Sequence, residues 1–171
     1  MFLRLISTAL LGCTFFAAPV AATAANRGPS TPEERAKALA IIKDNEANPL
    51  GPNAQDQRRW FLGWLIEVPD ITVNACMIFD GLAKSGKKDS DLIFGQMVFG
   101  QAAFIIQNPD KKEDRLAQYQ AGVEGALRLY ESLLKTRPRD REPYLDDLIQ
   151  RREAGTLAQF VKERAAASCG K

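Results

Sequence analysis

The residues best suited to chemistry are two carboxylates, Glu67 and Asp70, on either side of a Val-Pro break, with Asn74 one helical turn beyond Asp70 and Asp80 further on. Paired carboxylates can divide acid and base roles with no help from another group. They stand out because the chain contains no histidine. Without imidazole, Ser-His-Asp and Cys-His catalysis and the common zinc sites are excluded, along with the usual general base near neutral pH. No glycine-rich phosphate loop, CxxC pair, HExxH or GxSxG takes their place. Glu67 is also placed in the last turn of a predicted helix, where the macrodipole disfavours a negative charge, so a partner or a purpose must offset the penalty. The plainer account pairs Glu67 with an arginine and makes Asp70 a helix cap. No catalytic residue is assigned.

A second candidate precedes the carboxylates. Trp60, Phe61 and Trp64 follow Arg58 and Arg59, and large aromatics with arginine are typical anchors of binding surfaces. The competing reading is a core-facing stripe, since residues three and four apart share one face of a helix. Trp60, Trp64, Arg58 and Arg59 are therefore candidate binding residues, to be decided by exposure. The one basic run, Lys135, Arg137, Arg139 and Arg141, has Asp140, Glu142, Asp146 and Asp147 close by, which reads as a self-neutralising connector. With a formal net charge of +2 and both signs interspersed, the chain has no electrostatic footprint for nucleic acid. No cofactor or metal site is expected.

These residues sit in a chain of 171 residues, 46% hydrophobic and 26% charged, a composition that supports one globular core. The first residues differ in kind. Arg4 precedes an apolar stretch from Leu5 to Val20, and Ala22-Thr23-Ala24 has the small-residue spacing of a signal-peptidase site. Residues 1–24 are expected to be a Sec-type signal peptide cleaved after Ala24, and 25–30 a flexible spacer. Ser7, Thr8, Thr14 and Pro19 interrupt the stretch too often for a retained membrane span. Leu10-Leu11-Gly12-Cys13 offers a lesser route, acylation of Cys13 as a lipoprotein, although apolar and small residues continue where a polar tether would follow. Loss of the leader removes Cys13 and leaves Cys76 and Cys169. In an oxidising compartment that pair reads as one disulfide.

Helices must position all of this, because no window shows sustained strand alternation. Thr31-Pro32-Glu33-Glu34 carries a capping box with proline at the first helical position, and Pro49 stops the helix near Asn48. Asn53 is placed to cap a second helix, with Phe61, Trp64, Leu65 and Val68 on one face, which Pro69 ends. Asp70 is placed to cap a third, running through Cys76 to about Lys84 and closed by Gly86. The stretch from about 90 to 107 is apolar on nearly every side, which predicts a central helix enclosed by others. In it Gly95 and Gly100 allow close backbone approach, while Gln96, Gln101 and Gln107 need partners. A long helix then runs to about Thr136, Pro143 starts another that Gly155 ends, and Thr156 caps the last. Ala126, Tyr130, Leu133 and Pro138 resemble in spacing the second-helix signature of a tetratricopeptide repeat, but the helix before them lacks the matching Trp-Leu-Gly-Tyr pattern, so no family follows.

The expected fold is all-α: a single domain over 31–171, a compact bundle of about six or seven helices around the central one, cross-linked by Cys76 and Cys169. Its expected location is the periplasm or cell exterior, with no transmembrane segment after cleavage. The expected function is non-enzymatic, an interaction module of the accessory, adaptor or immunity-inhibitor kind that binds another exported or envelope protein. The alternatives are a carboxylate-dependent enzyme acting on a cell-envelope glycan through Glu67 and Asp70, and a holdase-like chaperone.

Overall fold

The computed structural model describes residues 27–74, 76, 78–79, 81–82 and 89–169; the expected leader, 1–24, lies outside them. Its helices begin and end where local chemistry dictates. Thr31 Oγ1 accepts from the Glu34 N–H at 3.2 Å and Glu34 Oε2 accepts from the Thr31 N–H at 2.9 Å, so the capping box starts α1 (Pro32–Ala47). The residue before each following proline leaves helical geometry: Asn48 has φ −131° and ψ 58°, and Val68, just past α2 (Ala54–Glu67), has φ −76° and ψ 128°. α3 spans Ser90–Gln107, and a 3-10 turn at Pro109–Lys111 leads to α4 (Arg115–Thr136). Asp114 caps α4 by accepting from the Ala117 N–H at 3.0 Å. α5 (Pro143–Glu153) is closed by Gly155 at a φ of +72°, and α6 (Leu157–Ser168) completes the bundle. No strand occurs among the described residues.

Two expected caps are not made. Asn53 has right-handed helical backbone and no capping bond from its side chain. Thr156 Oγ1 donates back to the Arg151 carbonyl at 3.3 Å instead of accepting from α6.

α3 is the wall between two cores. Ile93 and Met97 pack with Val123, Leu127, Leu145, Leu148 and Val161 of the three later helices, whereas Phe99, Ala102 and Ile105 pack with Ile41 and Ile42 of α1 and Phe61 and Trp64 of α2. A helix serving both sides has to be apolar nearly all round. α3 and α4 meet backbone to backbone: a Cβ at Gly100 would lie 2.6 Å from the Ala121 carbonyl oxygen, and one at Gly122 would lie 2.6 Å from that of Met97. Gly100 thus has the expected role, while Gly95 has open space beside it. Of the glutamines, Gln96 donates to Glu46 at 3.3 Å, Gln101 accepts from the Asn74 N–H at 3.3 Å, and Gln107 faces solvent.

The α4–α5 connection is fixed by Tyr130, whose hydroxyl accepts from the Glu142 N–H at 2.7 Å and donates to Asp146 Oδ1 at 3.0 Å. Burial, with the Asp146 carboxylate beside it, pushes the Tyr130 pKa up to about 12. Part of the basic run is paired locally as expected, Arg137 with Asp140 at 3.6 Å and Arg141 with Asp146 at 3.0 Å, while Arg137 also reaches Asp89 ahead of α3 at 2.6 Å.

Cys76 and Cys169 form the expected disulfide, with Cα atoms 5.6 Å apart across 93 positions of sequence. In the chain-entropy picture a loop of that length contributes about 4.5 kcal/mol. The helix expected to lead into Cys76 from Asp70 does not form. Ile71 to Asn74 has no regular structure, Ile78 and Phe79 lie in a turn, and only Gly81 and Leu82 are helical among the described residues between Asp70 and Ser90; the expected stop at Gly86 lies outside them. Three β-branched residues in succession, Ile71-Thr72-Val73, favour extended backbone. The Asp70 carboxylate, which would have capped the helix, is engaged elsewhere.

Candidate functional site

Asp70 is the hinge of a closed polar network. Its Oδ1 accepts from the Ser30 N–H at 2.8 Å, and its Oδ2 accepts from Ser30 Oγ and from Arg35 Nη2, each at 2.7 Å. Arg35 Nε donates in turn to Ser30 Oγ at 2.7 Å. Burial works to raise the Asp70 pKa, but the Ser30 and Arg35 donors outweigh it and hold the carboxyl below its ordinary value. Residues 27–30, expected as a spacer, are joined to the bundle here. Arg27 also pairs with Glu34, and donates to Glu67 at 3.2 Å. Glu67 thereby gains the cation that its place at the end of α2 called for.

Glu67 and Asp70 line separate cavities, and each carries its own arginine. A general acid must hold a proton near neutral pH, and Asp70 is held ionised. That removes Asp70 from the acid role. Asp80 lies outside the described residues.

The aromatic cluster divides between core and surface. Trp64 is 4% exposed and Phe61 is fully enclosed, its ring 4.1 Å from that of Phe99. Trp60 is half-buried, stacked on Trp64 at 5.9 Å, with Lys37 Nζ 3.9 Å over its ring. Arg58 turns inward, donating from Nη1 to Asn45 Oδ1 at 2.9 Å and to the Pro49 carbonyl at 3.1 Å, and burial lowers its pKa. It ties α2 to α1. Arg59 is exposed and pairs with Asp56 at 2.9 Å.

Arg27, Glu34, Arg59, Trp60, Gly63 and Glu67 surround an open groove of about 500 Å³ over Trp64. The Thr31 N–H, then the Arg27 charge and the Trp64 indole, keep the Glu34 carboxyl below its ordinary pKa against the opposing cost of desolvation. The indole N–H itself completes no full hydrogen bond. Beside the groove, on the outward face of α2, Leu62 is 44% exposed and Ile66 is 85% exposed. These two residues are not marked by any motif; their one signal is that they fall between the core-facing positions of α2.

A second cavity, of about 170 Å³, lies where the irregular segment after Pro69 meets the end of α3 and the start of α4. Thr72, Asn74, Lys112, Glu113, Arg115 and Gln118 line it. An adjoining space of about 170 Å³ shares Asp70, Ile105 and Lys112 with it. Its signals in the sequence are the β-branched run, which argues against a helix, and the charge cluster Lys111-Lys112-Glu113-Asp114-Arg115 ahead of α4. Comparison with known proteins returns no match, whether to a family model, a curated protein or a solved structure.

Proposed function

We propose that this chain is an exported helical interaction module that binds another envelope protein through the outward face of α2. The observation that carries the reading is the exposure of Ile66 and Leu62 beside a groove whose rim charges are already paired. An apolar centre within a charged rim is the usual anatomy of a protein interface. Export is supported by the disulfide, which persists in oxidising compartments, and no helix among the described residues is long and apolar enough to cross a membrane. The glycan-enzyme alternative loses support from the separate pairing of Glu67 and Asp70. A holdase needs a broad apolar surface, and the large hydrophobics exposed among the described residues are Leu50, Leu62, Ile66 and Leu116.

The test is affinity capture from envelope extract with the wild-type chain and Ile66→Asp as parallel baits. A partner retained by the wild type and lost from a folded Ile66→Asp supports the reading. Identical capture by both, or none by the wild type, refutes it.

A further inference from the structure

The groove over Trp64 already holds a ligand-like group, the guanidinium of Arg27. Trp60, Gly63, Trp64 and Glu67 follow the i, i+3, i+4, i+7 spacing, so α2 presents them as one continuous face. Glu34 of α1 lines the groove with them. At the Glu67 end, Arg27 Nη1 donates to Glu67 Oε2 at 3.2 Å and Nη2 donates to Glu34 Oε1. Each end of the planar fork meets a different carboxylate, a geometry that the point charge of an ammonium does not reproduce. The acceptors are set in place without help from Arg27. Glu34 is fixed by the bond from the Thr31 N–H to its Oε2, and the C-terminus of α2 adds the negative end of its dipole beside Glu67. A Cβ at Gly63 would meet nothing, so the groove is open along this face. The other cations near the groove lie toward its opposite end: Arg59 is paired with Asp56, and Lys37 sits over Trp60, about 10 Å along α2 from Glu67.

We propose that the Glu34–Glu67 end of the groove is the seat for an arginine side chain of the protein partner, and that Arg27 occupies it in the free chain as a displaceable stand-in. The proposal rests on the reading of α2 as the partner-binding face and adds the chemistry of the residue that the partner presents. Exchange of one guanidinium for another leaves both carboxylates paired, so no charge is stranded. Both bonds of Arg27 join partly exposed groups, where an ion pair is individually weak. What favours Arg27 is its tether. Ser30, three residues on, is bound to Asp70, which keeps Arg27 near the seat at a local concentration on the order of millimolar. A lone arginine therefore competes poorly. A partner that sets an arginine in the seat and an apolar side chain against Ile66 and Leu62, on the same helix, gains a contact that Arg27 does not supply and displaces it. A surface that offers only one of the two is discriminated against.

The experiment is an amide-shift titration by NMR of the whole disulfide-bonded protein, wild type and Arg27→Ala, with N-acetyl-arginine amide, its lysine counterpart and the uncharged N-acetyl-citrulline amide. In Arg27→Ala the arginine compound should give saturable shifts in residues 31–34 and 60–67. The wild type should bind it at least about fivefold more weakly, because only the seats that Arg27 leaves free are competent. The lysine compound should bind Arg27→Ala more weakly than the arginine one, and the citrulline compound should not bind. Glu67→Gln added to Arg27→Ala should weaken binding at least about threefold, whereas Glu153→Gln, exposed on α5, should leave it intact. Glu34→Gln should act like Glu67→Gln; should loss of the α1 cap unfold it, the exposed Glu67 decides the matter. No saturable shift in Arg27→Ala, equal affinity of wild type and Arg27→Ala, lysine or citrulline binding as tightly as arginine, or Glu67→Gln without effect would each overturn the proposal. The titration needs no partner, so it fails separately from the capture experiment: a partner lost from Ile66→Asp together with a flat titration would remove the arginine seat and keep the α2 face.

Discussion

The groove beside α2 and the cavity at the start of α4 are made of similar side chains, arginines and carboxylates around a partly apolar floor, yet they differ in what they leave over. In the groove the charges are spent on one another, Arg27 on Glu34 and Glu67, and Arg59 on Asp56. What remains available beside it is apolar, Leu62 and Ile66, and the polar group left without a full partner is the buried Trp64 indole N–H. In the cavity the apolar residue Ile105 is buried, Asp70 is engaged by Ser30 and Arg35, and the exposed Lys112, Glu113 and Arg115 make no ion pair among the described residues. The first surface is the one suited to another protein. A site is identified by what its groups leave available more than by which residue types it contains.

The largest effect that separates the two regions is expected from the disulfide. Replacing Cys76 and Cys169 with serine should cost about 2–5 kcal/mol in urea unfolding. Because Cys76 closely follows the cavity wall, amides of 71–74 should exchange faster while those of α2 keep their protection; equal loosening of both would mean the regions are not independent. Gly100→Leu makes the converse test. It should cost about 3 kcal/mol by forcing α3 from α4, and both regions should loosen together, since each rests on α3. A Gly100→Leu protein with unchanged stability would show that the two helices do not approach as closely as described.

Asp70→Asn addresses the cavity wall together with the segment at 27–30 that Asp70 holds, and should cost about 1.5–3 kcal/mol, the range for hydrogen bonds to a charged group. Its pH dependence follows from the depressed pKa of Asp70 in the folded state. The unfolded carboxyl titrates near its ordinary 3.8 and the folded one lower, so the folded state favours the ionised form. The contribution is complete at neutral pH and is lost as the pH falls below about 4 toward the folded pKa. Melting temperatures against pH should therefore drop less steeply in acid for Asp70→Asn than for the wild type, and parallel curves would remove the Asp70 network from the account. The smallest effect belongs to Ile66→Asp, which at so exposed a position should change stability by no more than about 0.5 kcal/mol. A large loss of stability would mean that Ile66 is covered.

Much of the fold is legible in the sequence because its signals are local. Thr31 with Glu34, the prolines at 49, 69 and 143, and Gly155 act on the residues next to them, and the all-round apolar character of 90–107 leaves little alternative to a central helix. The disulfide follows from having two cysteines once the leader is set aside. The region after Asp70 was less legible, since its helix depended on whether the Asp70 carboxylate was free to cap it. Ser30 and Arg35, 40 and 35 positions away, take that carboxylate instead. The candidate site divides in the same way. Trp60 and Arg59 are at the groove, but spacing alone could not turn Arg58 inward, bury Trp64, or show that Lys112, Arg115 and Gln118 meet the segment at 72–74.

The comparison of the two regions is tested most directly by one capture experiment with three baits, the wild type, Ile66→Asp and Arg115→Ala, in the same envelope extract. The account predicts a protein partner retained by the wild type and by Arg115→Ala and lost from Ile66→Asp. A partner that stays with Ile66→Asp and is lost from Arg115→Ala would contradict it, and would place the protein-binding surface at the α4 cavity.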